Sequence, residues 1–316
     1  MILALTFTEA SVIGLLVAGV QFGTLLYLAA LGETVAEKSG VLNLGVEGMM
    51  ATGASVGFIV AVETGSPWAG ILAGAAAGAL LSLVHAVAAV GLGADQVVSG
   101  LALTFLGLGL ADFVGDGYTD DARRSLFRDV ELPGLDGIPW IGEIVFRHSP
   151  VTYGAVLSGI VVWFVLNRTA VGLGLRAAGE TAATADAAGH SVLRLRFAAV
   201  MVGGAFAGAS GAYLTTYLVG SWSQNLTAGR GWIAVALVIF GAWRPGRVAL
   251  GALLFGFTLA LKSRLAVFGI EFSPILLDMT PYLLTVAVLV VISIRARNKP
   301  SPAPAAIGIP YRREER

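Results

Sequence analysis

The chain has 316 residues, of which 56% are hydrophobic and 13% charged, with mean hydropathy +0.82 and a formal net charge of zero. So apolar a chain of this length is not a soluble domain; it reads as an all-α polytopic membrane protein. Lys38 is the only Lys or Arg before Arg123, so there is no basic surface for nucleic acid, and the absence of cysteine excludes disulfides, thiolate metal sites and cysteine nucleophiles.

The opening MILALTFTEA has no basic residue ahead of its apolar run and no small-residue cleavage site, so it is expected to be retained. Apolar stretches long enough to cross about 30 Å of hydrocarbon fall at 10–31, 41–62, 68–90 and 96–114. The first two are separated by GETVAEKSGVLNLGVEGMM, where Glu33, Glu37, Lys38, Asn43 and Glu47 break the hydrophobicity. A charge at the bilayer centre costs about 2.5–3.5 kcal/mol, so these residues sit at the interface, line a wet cavity or pack inside the bundle. Gly32, Gly40, Gly45 and Gly48 permit turns and close backbone approach there. Two readings stand: a short cytoplasmic hairpin, or a partly buried element bordering a translocation route.

A long polar loop, 115–149, follows the fourth span and is expected outside the cell. Further spans fit 151–166, 195–219, 232–243, 248–266 and 275–294, making about nine, with 232–243 short enough to be half-membrane or re-entrant. The permease domain thus covers 1–298, and the Pro-rich 299–316 reads as a disordered cytoplasmic tail. Three clusters, Arg168 with Arg176, Arg194 and Arg196, Arg244 with Arg247, and Arg295 with Arg297 and Lys299, fall on one side when the spans alternate. Positive residues are retained in the cytoplasm, which puts the N-terminus outside; Arg123, Arg124, Arg128 and Arg147 conflict with that rule. Gly70, Gly74 and Gly78, and Gly204 and Gly208 followed by Gly211, have the spacing that lets helix backbones touch within the subunit.

Polar residues in or beside the spans, Gln21, Asn43, Glu47, Gln96 and Ser99, are the candidates for a pathway, although such groups more often bond helix to helix. Asp95 is expected at the interface and His85 packed. The histidines are scattered, so no metal site is expected, and no Ser/His, paired-Asp or metal constellation marks an enzyme. No cofactor is implied. An ion-coupled secondary transporter would need deep charges and inverted repeats; only Glu47 and Lys262 come close, and no repeat is evident. There is no GxxxxGK[ST] phosphate loop, so the chain cannot energise transport alone.

The loop 167–195 contains ETAATADAAGH, an alanine-rich segment with Thr181 as N-cap and Gly189 as C-terminal stop. Lying at the membrane surface, its small side chains suit a partner's groove. This segment, GLGLRAAGETAATADAAGHSVLRLR, together with GETVAEKSGVLNLGVEGMMATGA before it and GRGWIAVALVIFGAWRP after it, resembles the permeases of bacterial ABC importers. The family serves branched-chain amino acids, ribose and nucleosides, and the resemblance is strongest to its nucleoside or simple-sugar branch. It implies a type II ABC importer-like permease in the cell membrane that imports nucleosides, with a simple sugar or branched-chain amino acid as the alternative. The implied partners are an ABC ATPase subunit, a second related permease as a heterodimer, an extracellular solute-binding protein and membrane lipid. The family's coupling helix maps onto 176–191, so Arg176, Glu180, Thr181, Ala185, Asp186, Gly189 and His190 are the expected ATPase contacts. Thr181 and Ala182 replace the family's common Asn-Pro, and His190 stands where an apolar residue is usual.

Overall fold

The computed structural model describes residues 9–119, 127–131, 133–265, 273–296 and 301–311. Helices dominate it: α1 (Glu9–Lys38), α2 (Val46–Thr64), α3 (Pro67–His85), α4 (Gln96–Gly115), α5 (Ile141–Phe146), α6 (Pro150–Arg168), α7 (Ala170–Glu180), α8 (Ala182–Ala187), α9 (Val192–Tyr213), α10 (Arg230–Phe240), α11 (Pro245–Leu265) and α12 (Pro274–Ala296). Short side chains fix several starts. The hydroxyl of Ser66 accepts from Ala69 N with Pro67 in the first turn, Asp95 accepts from Val98 N, and Ser149 accepts from Thr152 N beside Pro150.

Among the described residues six helices are long and apolar enough to cross a membrane: Glu9–Lys38, Val46–Thr64, Pro67–Gly91, Gln96–Tyr118, Pro150–Arg168 and Val192–Val219. The other three expected spans correspond to shorter apolar helices at Arg230–Phe240, Pro245–Leu261 and Met279–Val291 among the described residues. Helix α9 is central, packing against α1, α2 and α3, while α1 runs along α11 and α2 along α4. The glycine spacing explains that closeness. A methyl group on Gly78 would collide with the Gly204 carbonyl, and one on Gly208 with the carbonyl of Gly74. Lipid tails are as apolar as leucine, so helices gain by backbone proximity and dispersion rather than by leaving water. The opposite faces carry exposed Leu72, Leu80, Phe105, Phe113, Ile160 and Phe164, as a lipid-facing surface requires.

The polar loop is partly folded. Val130 pairs with His148 and Glu131 with Arg147 in a two-stranded antiparallel ladder, and an Arg147–Glu131 ion pair closes it. The Arg147 charge that strains the positive-inside count is therefore neutralised locally. Asp129 accepts from the Tyr217 hydroxyl, which lies at the far end of the α9 segment from Arg196, so this loop and 167–195 occupy opposite ends of the bundle.

The tail departs from the expected disorder within 301–311. Ala306 N donates to Gly179 O at 2.8 Å, the Ile309 carbonyl accepts from Arg196, and Tyr311 packs against the apolar cluster of Ala178, Ala182, Ala185 and Val192. Proline removes donors but also lowers the entropy lost on docking, so a Pro-rich strap can lie on a surface that supplies its partners. The opening residues 1–8, Arg123, Arg124, Arg297, Lys299 and the remainder of the tail lie outside the described residues, and the side chains of Lys262 and Arg295 are likewise outside.

Candidate functional site

Two breaks in helical structure meet inside the bundle. The first is 39–45, where α1 ends, Gly40 takes φ +89°, and the chain turns back along α1. Its return is held by side chains. Glu33 accepts from Asn43 N at 3.0 Å, Gln96 Oε1 accepts from Leu42 N at 2.7 Å, and Thr104 donates to Leu44 O at 2.8 Å. Thr104 lies about 12 Å along α4 from Gln96 at a 1.5 Å rise per residue, so the non-helical stretch reaches well into the bundle. His85 bridges the same stretch to α4, with Nε2 at 3.1 Å from Leu42 O and Nδ1 at 3.0 Å from Ser99 Oγ.

The second break is 220–229, between the α9 segment and α10, with left-handed backbone at Gly220, Asn225, Ala228 and Gly229. Non-glycine residues at positive φ are uncommon and persist only where surroundings over-determine them. Here Glu47 does so. Its Oε1 accepts from the Thr227 hydroxyl at 2.6 Å and from Gly229 N at 2.7 Å, and its Oε2 accepts from Gly231 N at 2.6 Å. The carboxylate thus satisfies orphan donors at the start of α10 and faces the positive end of its dipole. A Cβ on Gly231 would overlap the Glu47 backbone, which is why glycine stands in the GRGW sequence. At the other end of α10, Trp243 Nε1 donates to Glu37.

The pathway candidates are therefore each placed in an internal bond. Asn43 Oδ1 accepts from Gly45 N at 2.9 Å, and Gln21 donates to the Tyr217 hydroxyl at 2.9 Å. Asn43, Glu47, Gln96 and Ser99 converge on the two breaks, whereas Gln21 lies apart, beside the polar loop. Asp95 caps α4 from an exposed position.

At the end of the bundle opposite the polar loop, 167–195 forms two helices where the sequence suggests one. Thr169 caps α7 by accepting from Gly172 N at 3.1 Å. Thr181 then separates α7 from α8, and Gly189, at φ +87°, ends α8 with His190 N bonded to Ala185 O and Gly189 N to Asp186 O. Ala185 is buried against Ala178, Ala182 and Val192, so it supports α8 from within; the exposed face is Ala183, Thr184, Ala187, Ala188 and Gly189. Glu180 is exposed and its Oε2 accepts from Ala305 N, while Arg176, Asp186 and His190 are partly buried.

Arg196 joins the two regions. Only 2% exposed, it donates from Nε to Ser39 O at 3.1 Å, from Nη1 to Ile309 O at 3.1 Å and from Nη2 to Ala178 O at 3.3 Å. One guanidinium therefore holds the end of α1, helix α7 and the tail. Sequence reasoning used Arg196 only to count charges; the available signal was that it stands two residues deeper into an apolar span than its neighbour Arg194.

A family model described as the branched-chain amino acid transport system permease component matches residues 15–292. The chain belongs to this family. It is 45% identical over 265 residues to a protein of Haloferax volcanii provisionally named a glucose ABC transporter permease, covering 83% of this chain and 80% of that one. It is 36% identical over 281 residues to a guanosine ABC transporter permease of Bacillus subtilis, covering 84% and 87% respectively. A second guanosine ABC transporter permease of that Bacillus is 26% identical over 243 residues, covering 72% and 68%. No solved structure matches the chain. This permease is accordingly a multi-pass membrane subunit of an ABC transporter, and in its family ATP hydrolysis resides in a separate subunit, with a solute-binding protein completing the system.

Proposed function

We propose that this permease imports a nucleoside, moving it past the paired breaks at 39–45 and 220–229 when an attached ATPase displaces α8. The observation that carries the substrate is the near full-length similarity to a guanosine permease. The higher identity to the provisionally named glucose permease supports a second reading, a simple sugar, and a nucleoside itself presents a sugar ring. Uptake of labelled guanosine and of labelled glucose, in cells where this transporter system is the only route for each, decides between them. Guanosine uptake that unlabelled glucose does not compete supports the first reading; uptake of glucose alone overturns it.

The mechanism rests on contact continuity. Non-helical backbone at membrane depth is tolerated where it is buried in protein or borders a cavity, and transporters place their routes at such breaks. The exposed face of α8 suits a cleft of the ATPase, and α7 reaches the first break through Arg196 and Ser39. Glu33 holds Asn43 in that break, and Glu47, four residues further along the chain, bonds the start of α10. A two-state route of this kind is biased by whichever form the ATPase binds more tightly.

The finer architecture follows the same reading: nine membrane segments with α10 as a half-helix, a type II importer-like arrangement, the N-terminus outside and α7–α8 in the cytoplasm. The partner permease is a different chain. That Bacillus subtilis has two guanosine ABC transporter permeases of unequal similarity to this one supports a heterodimer.

A further inference from the structure

Four cations converge where α1, α6, α7 and α11 meet at the cytoplasmic end. Lys38, Arg176, Arg244 and Arg247 line a cavity of about 640 Å³, within the roughly 300–1,000 Å³ of small-molecule sites. Among the described residues no acid lines it; Glu180 is the acid whose charge Lys38 feels most. The Nε of Arg176 is buried there without a hydrogen-bond partner. Like charges gathered in one cavity repel each other and favour a shared anion.

The cavity does not end at the charges. It shares Trp163 and Gly246 with an apolar groove of about 280 Å³ that runs between α6, α1 and α11 past Tyr27, Val156 and Ala249. The groove opens on the side where Val156, Ile160 and Trp163 are exposed, which is the lipid-facing side of α6. Trp163 is placed as interfacial tryptophans are, with the Arg168 guanidinium 5.9 Å from its ring. Polar cavity, aromatic boundary and apolar groove follow one another in the order of a phospholipid's headgroup, glycerol region and acyl chain.

We propose that this cavity and groove bind one anionic phospholipid of the cytoplasmic leaflet, its phosphate among the four cations and an acyl chain along α6. A basic pocket between helices on this side of a membrane is the arrangement that selects anionic headgroups. The contiguous groove separates a lipid from free phosphate, which has nothing to place there. Pro302 of the tail also lines the cavity, so the bound lipid touches the strap that lies on α7.

The test uses the permease purified with its ATPase in mild detergent and titrated with phosphatidylglycerol carrying brominated acyl chains, which quench nearby tryptophan. Saturable quenching that disappears in Trp163→Phe is expected. Arg244→Gln with Arg247→Gln should weaken it about 30-fold, since each cation contributes on the order of a several-fold attraction to an anionic lipid. Both arginines are exposed, so the fold tolerates the change. Gly246→Leu should abolish quenching by filling the junction, and a Cβ there meets nothing within 4 Å. Arg194→Gln, away from the cavity, should bind as the unaltered chain does. Native mass spectrometry of the unaltered complex should retain one phosphatidylglycerol. Equal quenching by brominated phosphatidylcholine, or binding by the double variant within twofold, overturns the proposal. Displacement of the lipid by millimolar inorganic phosphate would make this a free-anion site and overturn it equally.

Discussion

The carboxylate of Glu47 accepts the backbone N–H of Gly231 at 2.6 Å, joining positions 184 residues apart. It turns an acid in an apolar chain into the fastening of α10. Three donors surround the two oxygens, so hydrogen bonds meet the carboxylate. Glu47→Gln keeps the shape but turns an N–H₂ toward at least one donor. The expected loss is about 1.5–3 kcal/mol, the range for bonds to a charged group. Thermal unfolding in detergent measures it, and uptake should fall with it; unchanged stability and full uptake would show that α10 is held by other contacts.

Arg196→Lys tests the junction of α1, α7 and the tail. An ammonium cannot span three carbonyls, so the fork is lost although the charge stays. Expected are about 3 kcal/mol of destabilisation and faster hydrogen exchange at 301–311 and around Ser39. A tail as protected as in the unaltered chain would remove Arg196 from this role.

Two alanines on α8 should behave differently. Ala187→Arg lies on the exposed face, so expression and folding should persist while ATPase co-purification and uptake fall at least tenfold, the equivalent of about 1.4 kcal/mol. Ala185→Arg forces a charge into the cluster of Ala178, Ala182 and Val192 and should reduce folded protein itself. Retention of ATPase binding by Ala187→Arg would make α8 an ordinary surface helix.

Glycines separate packing from helix propensity. Gly208→Val drives a side chain into the backbone of α3 and should cost about 3 kcal/mol or more. Gly109→Ala on the exposed side of α4 meets nothing within 4 Å and should stabilise by about 0.5–1 kcal/mol. Melting temperatures of the two variants moving in the same direction would contradict this packing.

Topology can be labelled without interference because the chain has no cysteine. A cysteine at Asp136 should react with an impermeant thiol reagent on intact cells, and one at Asp186 only after lysis. Labelling at Asp186 in intact cells would invert the orientation and separate α8 from any ATPase.

The sequence by itself determined that the chain lies in a membrane, where the apolar segments fall, and which family's motifs it carries. These properties are written locally, in hydrophobic length and in short ordered strings such as GETVAEKSG and GRGW. It also marked α8, because an alanine run bounded by Thr181 and Gly189 is a local signal of helix start and stop. Tertiary structure alone decided what Glu47 does: a carboxylate's partners here are backbone donors from a distant break, and no local spacing announces them. The same holds for Arg196 and for the tail, whose prolines read as disorder until α7 supplies Gly179 O and α9 supplies the buried Arg196 guanidinium. The inward direction of Ala185 was equally hidden, since a helix of alanines has no polar face to orient it and only contact with α7 and α9 fixes which side is covered.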